Sequence, residues 1–177
     1  MADDRSEGTT EALDAVAHSS TMERIVELAF LSELVQEAWF VRCQIVDVLH
    51  SSVDAFGHDV VLECGRVLRH VQLKSRRVGG KTSVYKINLN LGERPSGCVI
   101  VLDWQHDAES NRVTFTYRWF GGLPGEPLPP LGDKIAKHSK GNANGEKLAR
   151  PNLRVVPLTK FTKVATIADL VTHLFGP

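Results

Sequence analysis

The sequence has few cysteines and no net charge, and both features exclude classes of protein. Its three cysteines are an odd number at wide spacing, which supports neither a disulfide framework nor a zinc site built from CxxC pairs. Twenty-one basic residues balance twenty-one acidic ones, so no overall field attracts a polyanion. Any binding of nucleic acid must therefore come from a local site.

Long apolar runs are also missing, since no stretch approaches the roughly 18 apolar residues of a membrane helix. The first 20 residues are acidic and polar and lack the apolar segment of a secretory signal. Residues 1–20 are therefore expected to form a flexible tail, and residues 21–177 a single domain. That domain should have a core over 21–120 and a Gly/Pro-rich, basic extension over 121–177. A cytoplasmic protein without membrane contact is expected.

The clearest helical pattern is TMERIVELAFLSELVQEAW at 21–39, with Thr21 at the N-cap position. WFVRCQIV at 39–46 is predicted to be a strand. Two further strand-like runs, DVVLE and RVLRHVQLK, are separated by Cys64 and Gly65. This spacing predicts a β-hairpin with its turn at these two residues.

Polar side chains of this hairpin should converge on one face of the sheet. With the predicted turn, Asp59 lies opposite His70, and residues two apart on a strand share a face. Asp59, Gln72 and Lys74 should therefore project together as a carboxylate, an amide and an amine. Asp54 is a second candidate for the carboxylate, but it falls within the loop, which favours Asp59.

The predicted helix contributes a second carboxylate to this region. At about 100° per residue, Glu27 falls among Phe30, Leu31 and Leu34, in the apolar stripe that should face the sheet. A carboxylate is costly there unless it is paired or bound to a cation. Glu27 therefore joins the candidate site.

The order of these features resembles the PD-(D/E)XK nuclease superfamily. A helix with inward Glu27, an aromatic-led strand, a loop ending GHD at Asp59, a hairpin and QLK at 72–74 are similar to the variant with Gln in place of the usual acid, as in Mrr-like restriction endonucleases. The likeness covers about residues 21–104. It implies a restriction-endonuclease-like α/β fold, in which helices flank a mixed central β-sheet.

The resemblance also implies a Mg²⁺-dependent nuclease, with Mn²⁺ as a substitute and with DNA as the expected substrate ahead of RNA. Asp59, Gln72, Lys74 and Glu27 would be the catalytic residues. Asp59, Gln72, Glu27 and the backbone carbonyl of Leu73 would hold the metal. Lys74 would stabilise charge on the phosphate in the transition state. The family suggests a role in defence against foreign DNA or in repair, with a second copy or a partner protein supplying specificity.

Polar and basic residues near the motif and in the C-terminal extension are candidates for binding a nucleic-acid backbone. They are Ser75, Arg76, Arg77, Lys81, Lys137, Lys140, Lys147 and Arg150. Runs of charge usually form solvated faces, so each of these residues has a second interpretation as ordinary surface.

Other interpretations of the motif remain open. The alternation in HVQLKSRR also suits an ordinary half-exposed strand. His58 and His70 favour structural roles, because neither has a Cys or His partner at zinc spacing. The chain would then be an inactive member of the fold that binds nucleic acid or a protein, or a structural domain of a larger assembly. Convergence of the four predicted side chains would favour the enzyme.

Overall fold

A computed structural model of the protein describes residues 19–53, 56–138, 140 and 145–177. Most of the predicted tail, at 1–18, and the alternative carboxylate Asp54 lie outside the described residues. The helices are α1 (Ser19–Gln36), α2 (Leu89–Gly92) and α3 (Ile167–Phe175), with a π-helical turn at Glu37–Val41 and a 3-10 turn at Leu158–Lys160. The strands are β1 (Val46–His50), β2 (Val60–Cys64), β3 (Val67–Arg77), β4 (Val84–Asn88), β5 (Gly97–Asp107), β6 (Arg112–Gly121), β7 (Ile135–Lys137), β8 (Ala149–Pro157) and β9 (Thr162–Val164).

These strands form two sheets. The large sheet has six strands in the order β1-β2-β3-β5-β6-β9, in which β3 and β5 are parallel and the other neighbours are antiparallel. The small sheet is antiparallel, in the order β4-β8-β7. The predicted class, α/β with a mixed central sheet and flanking helices, is confirmed at this level. Among the described residues, no helix combines the length and apolar character needed to span a membrane.

Helices α1 and α3 cover one face of the large sheet. Phe30 of α1 and Leu170 of α3 are buried in one core with Val71, Ile100 and Trp119 of the large sheet. Because α3 and β9 belong to this core, part of the predicted C-terminal extension is built into the sheet that the first 120 residues begin.

The other face of the large sheet packs against the small sheet. Val99 and Val101 of β5 are buried there with Ile87 of β4 and Val156 of β8. A strand covered on both faces needs apolar residues at successive positions, which explains the continuous run CVIVL in β5. The sheet face opposite α1 and α3 is therefore largely covered by the small sheet.

The segment after α1 is not the strand that its aromatic and β-branched residues suggested. The helix continues into the π-helical turn at Glu37–Val41, and β1 begins only at Val46. The carbonyl of Ala38 accepts a hydrogen bond from the N–H of Gln44 (2.9 Å), which keeps this segment folded on the helix end. Thr21 is not an N-cap either, since it lies inside α1.

The hairpin forms as predicted, but its turn lies at Gly65 and Arg66 rather than at Cys64 and Gly65, because Cys64 pairs with Val67. Gly65 has a φ of 60°, which suits the first central position of a type II′ turn. The shift moves every cross-strand partner by two residues. Side chains alternate with a period of two, so the predicted residues still share a face.

A fully buried arginine joins β3 to the end of α3. Arg69 donates from Nε to the carbonyl of Leu174 (2.6 Å) and from Nη2 to that of His173 (2.8 Å). Its Nη1 donates to two carbonyls after β6 (3.1 and 3.3 Å), and its guanidinium lies 5.4 Å from the centroid of the Trp119 ring. Carbonyls at a helix C-terminus lack partners within the helix and carry partial negative charge, so this cation stabilises the helix end.

We predict that Arg69→Met lowers the free energy of unfolding by about 3–5 kcal/mol, because four carbonyls lose their buried donor. Arg66→Met, at the exposed turn of the same hairpin, is the matched control and should change it by less than about 0.5 kcal/mol. Urea unfolding followed by circular dichroism measures both variants. Equal stability of the two would contradict this role of Arg69.

Candidate active site

Strand β3 turns two predicted residues away from the helices. Val71 is buried in the helix-side core, so Gln72 and Lys74, which alternate with it, lie on the other face of the large sheet. Asp59 precedes β2 and its N–H donates to the carbonyl of Val71 (2.9 Å), which places it beside Gln72. Asp59, Gln72 and Lys74 line one cavity of about 720 Å³. Three of the four predicted catalytic residues are therefore brought together.

The small sheet and the segments next to it line the rest of this cavity. The lining residues there are Lys86, Asn88, Asn90, His138 and 149–153. With Lys74, Lys86 and Arg150 against Asp59, the described lining carries three lysine or arginine side chains and one carboxylate. A cavity of this charge favours an anionic ligand.

The carboxylate of Asp59 is held in place by the backbone of β3. Its Oδ2 accepts a hydrogen bond of 2.7 Å from the N–H of Leu73, although the residue is exposed overall. An amide that donates to a carboxylate stabilises the charged form and fixes its direction. Asp59 therefore presents its negative charge at β3, next to Gln72.

Gln72 is the most unusual polar residue of the cavity. Its side chain is 5% exposed, and its Oε1 is fully buried and accepts no hydrogen bond from the described residues. An unsatisfied buried acceptor costs about 1–3 kcal/mol, and such atoms in native proteins call for an explanation. A bound cation would be one explanation, because an amide oxygen is a neutral ligand for a hard cation such as Mg²⁺.

Lys74 is partly buried and, within the part of the chain that the structure describes, makes no ion pair or hydrogen bond. Lys86, by contrast, donates from Nζ to the carbonyl of Lys137 (3.0 Å). An ammonium without a protein partner retains all its donors for a ligand. Lys74 is therefore the cation best placed to bind a phosphate oxygen beside Asp59.

Glu27 lies elsewhere. It lines a neighbouring cavity of about 420 Å³ with Arg24 and His50, and Asp59 lines both cavities. Its Oε1 accepts a hydrogen bond from Arg24 Nη1 (2.8 Å) and lies 2.9 Å from His50 Nε2. Helical periodicity predicted the apolar neighbours of Glu27 but not these two partners. They account for the carboxylate without a metal, and Glu27 does not line the cavity of Gln72 and Lys74.

The two histidines beside the site pack against each other. The rings of His58 and His70 have centroids 5.0 Å apart in an edge-on arrangement, and His70 Nδ1 lies 3.0 Å from the carbonyl of Pro95. Burial lowers the pKa of His58, and the neighbouring His70 and Arg94 lower it further. The lowered pKa favours the neutral imidazole of His58, although Asp59 opposes this shift.

The donors in the cavity suit a cation with few protein ligands. Within the described ranges, no group of three His, Cys, Asp or Glu side chains could hold a metal. Mg²⁺ does not require such a group, since it keeps several waters and is commonly bound by one or two carboxylates together with substrate phosphates. Asp59 and Gln72 fit that pattern. The N–H of Leu73 donates to Asp59. The carbonyl of Leu73, which was also a predicted ligand, lies on β3 between Gln72 and Lys74.

Two of the residues predicted to contact nucleic acid, Ser75 and Arg76, lie on β3 but outside the lining of the cavity. Arg76 donates from Nε and Nη2 to the carboxylate of Asp103 (2.9 and 2.8 Å), which also accepts from Arg118 (2.7 Å). Ser75 pairs with Leu102, which is buried in the helix-side core, so Ser75 lies on the opposite face from Gln72. Neither side chain points into the cavity.

Of the other predicted contact residues, Arg150 lines the cavity. The remaining ones are exposed and do not line it: Arg77, Lys81, Lys137, Lys140 and Lys147. Lys86, which the sequence places among the basic residues that follow the motif, also lines it. Asn88, His138 and Asn152 line it but were not predicted from the sequence. No local pattern connects them with QLK at 72–74, since packing of the small sheet on the large one brings them together.

Comparison of the chain with protein-family models, with curated proteins and with solved structures gave no significant match. The likeness to PD-(D/E)XK nucleases therefore depends on the motif residues themselves. Of these, Asp59, Gln72 and Lys74 share a cavity and Glu27 lies in the next one.

We predict opposite effects of Gln72→Leu on stability and on metal binding. Removing a buried acceptor that has no donor should raise the free energy of unfolding by about 1 kcal/mol. Loss of an oxygen ligand should weaken Mn²⁺ binding at least about tenfold. Urea unfolding and electron paramagnetic resonance titration with Mn²⁺ measure the two effects.

Glu27→Gln is the matched control for this titration. It changes a carboxylate that lies outside the cavity, so Mn²⁺ affinity should stay within about twofold of the wild type. A Gln72→Leu protein that binds Mn²⁺ as the wild type does would exclude Gln72 as a ligand. A large loss in Glu27→Gln would return Glu27 to the ligand set.

Proposed function

We propose that the protein is a Mg²⁺-dependent nuclease of restriction-endonuclease-like fold that hydrolyses phosphodiester bonds, with DNA as its expected substrate. The buried Oε1 of Gln72 supports this proposal most directly, because it is an acceptor without a protein donor. Asp59 and Lys74 line the same cavity and supply the other two groups that the reaction needs. The proposal joins these three side chains into one site.

Asp59 and Gln72 would hold the metal through a carboxylate and an amide oxygen, with the carbonyl of Leu73 as a further ligand. When bound, Mg²⁺ would polarise the phosphate and lower the pKa of a bound water. Gln72 carries no charge, so this ligand set is less negative than one with two carboxylates. Glu27 is left out of the proposed set, because it is paired with Arg24 in the neighbouring cavity.

Lys74 would bind a non-bridging oxygen of the scissile phosphate. Negative charge builds up on these oxygens as the attacking oxygen approaches, and a fixed ammonium stabilises the transition state more than the ground state. Lys86 and Arg150 line the same cavity and would bind neighbouring phosphates. The three cations would thus divide catalysis and substrate binding between them.

A second candidate function is nucleic-acid binding without cleavage. The described lining of the cavity has one carboxylate, Asp59, beside three lysine or arginine side chains. Such a site could bind a phosphate without a metal, as an inactive member of the fold would.

Under the proposed nuclease function, the biological role would be defence against foreign DNA or repair, with specificity supplied by a second copy or a partner protein.

We predict that Lys74→Ala reduces DNA cleavage at least about 100-fold, because the variant lacks the ammonium that stabilises transition-state charge. Mn²⁺ affinity should not fall, since an ammonium is not a metal ligand and its removal lessens the repulsion of the cation. Asp59→Asn should lose both DNA cleavage and Mn²⁺ binding. Cleavage is measured by incubating each protein with Mg²⁺, with Mn²⁺ and with EDTA. The substrates are plasmid, linear and single-stranded DNA, with RNA alongside.

Lys163→Ala is the control for this assay. Lys163 is exposed on β9, at the opposite edge of the large sheet from β1, and does not line the cavity. Its removal should leave cleavage and metal binding unchanged. Cleavage that continues in EDTA, or a Lys74→Ala protein with the wild-type rate, would refute the nuclease mechanism. Binding without cleavage in every metal would favour the second candidate.

A further inference from the structure

The site that contains Gln72 is recessed, which limits the form of the substrate. Gln72 is 5% exposed and Lys74 is partly buried, while the other charged lining residues, Asp59, Lys86 and Arg150, are exposed around them. The cavity of about 720 Å³ falls within the range of roughly 300–1,000 Å³ that is typical of sites for small molecules and cofactors. It is therefore sized for a short piece of one chain rather than for the width of a double helix.

Single-stranded DNA and duplex DNA differ in flexibility. A duplex is stiff over about 150 base pairs, so its phosphates cannot bend individually into a recess. A single strand is flexible, so it can lead one phosphate of its backbone into the cavity.

The lining of the cavity also offers contacts to bases, of which stacking on a base face requires an unpaired base. Asn152 and His138 line it together with Asn88, whose Oδ1 already accepts from the N–H of Asn90 (3.0 Å) and whose amino group remains a donor. Amide side chains form hydrogen bonds with base edges, and ring side chains stack on base faces. In a duplex, the pairing edges and faces of the bases are occupied.

We propose that single-stranded DNA, as a free end or as an unpaired stretch, is the form that enters this cavity. This inference rests on the proposed function for its choice of DNA. The backbone would run along Lys74, Lys86 and Arg150, and the bases would face Asn152 and His138. The strand would thus bring one phosphate to Asp59 and Gln72.

Binding in EDTA tests this inference separately from cleavage. A fluorescently labelled 15-nucleotide single strand and its blunt duplex are titrated with the full chain, with anisotropy as the readout. We expect the single strand to bind at least about tenfold more tightly than the duplex. Its affinity should fall with salt, and Arg150→Ala should reduce the slope of log K against log salt by about 0.7, the value for one phosphate contact on a single strand.

Two further variants sharpen this experiment. Asn152→Glu places a carboxylate at an exposed position of β8 that lines the cavity, and it should weaken binding of the single strand at least about tenfold, because the carboxylate repels phosphates. Lys163→Ala removes an exposed cation far from the cavity and should leave the affinity and the salt slope unchanged. Circular dichroism confirms that each variant is folded.

The outcomes distinguish this inference from the proposed function. Preferred binding of the single strand without cleavage in any metal would support the inference and refute the nuclease. Equal affinity for the duplex, or cleavage of closed duplex plasmid as fast as of the single strand, would refute the inference, whether or not the chain is a nuclease. Binding that Asn152→Glu and Arg150→Ala leave unchanged would also refute it.

Discussion

Strand β3 is buried on both faces, and this burial determines where the functional groups can lie. Arg69 and Gln72 are both nearly inaccessible to solvent, yet their polar atoms differ in their partners. The guanidinium of Arg69 donates to four carbonyls, whereas the Oε1 of Gln72 accepts from no described residue. The helix-side face of β3 thus satisfies its buried polar group within the fold, and the other face leaves one buried acceptor without a donor among the described residues.

A second buried charge fixes the far end of the same strand. Asp103 of β5 accepts hydrogen bonds from Arg76 of β3 and Arg118 of β6, so one carboxylate ties three adjacent strands. A buried carboxylate of this kind adds little net stability, but loss of either guanidinium would leave charge uncompensated. With Arg69 near one end and Arg76 near the other, the middle of β3 is held rigidly. Gln72 and Lys74 lie between these anchors, as a preorganised site requires.

Local periodicity predicted part of the site, and non-local pairing decided the rest. The shared face of Asp59, Gln72 and Lys74 depends only on alternation within the hairpin, so it was unaffected by a turn displaced by one residue. The neighbours of Glu27 along its helix were also predictable, but its partner His50 belongs to a strand that the sequence misplaced. Arg150 was predicted as a contact residue from charge alone. Its place in the cavity depends on pairing of β8 with β4 and β7 and on packing of this small sheet on the large one, about which local patterns carry no information.

The charge of the cavity connects metal binding with substrate binding. Asp59 and Gln72 together carry one negative charge, while Lys74, Lys86 and Arg150 carry three positive ones. Under the proposed function, Asp59 and Gln72 alone would be a weak site for a divalent cation, since the nearby ammonium and guanidinium groups repel it. A phosphate held by Lys74 would bring the missing negative charge and additional oxygen ligands, as substrate phosphates do at other Mg²⁺ sites. The site would then bind its metal more tightly after the strand has entered, which favours hydrolysis of a correctly placed phosphate.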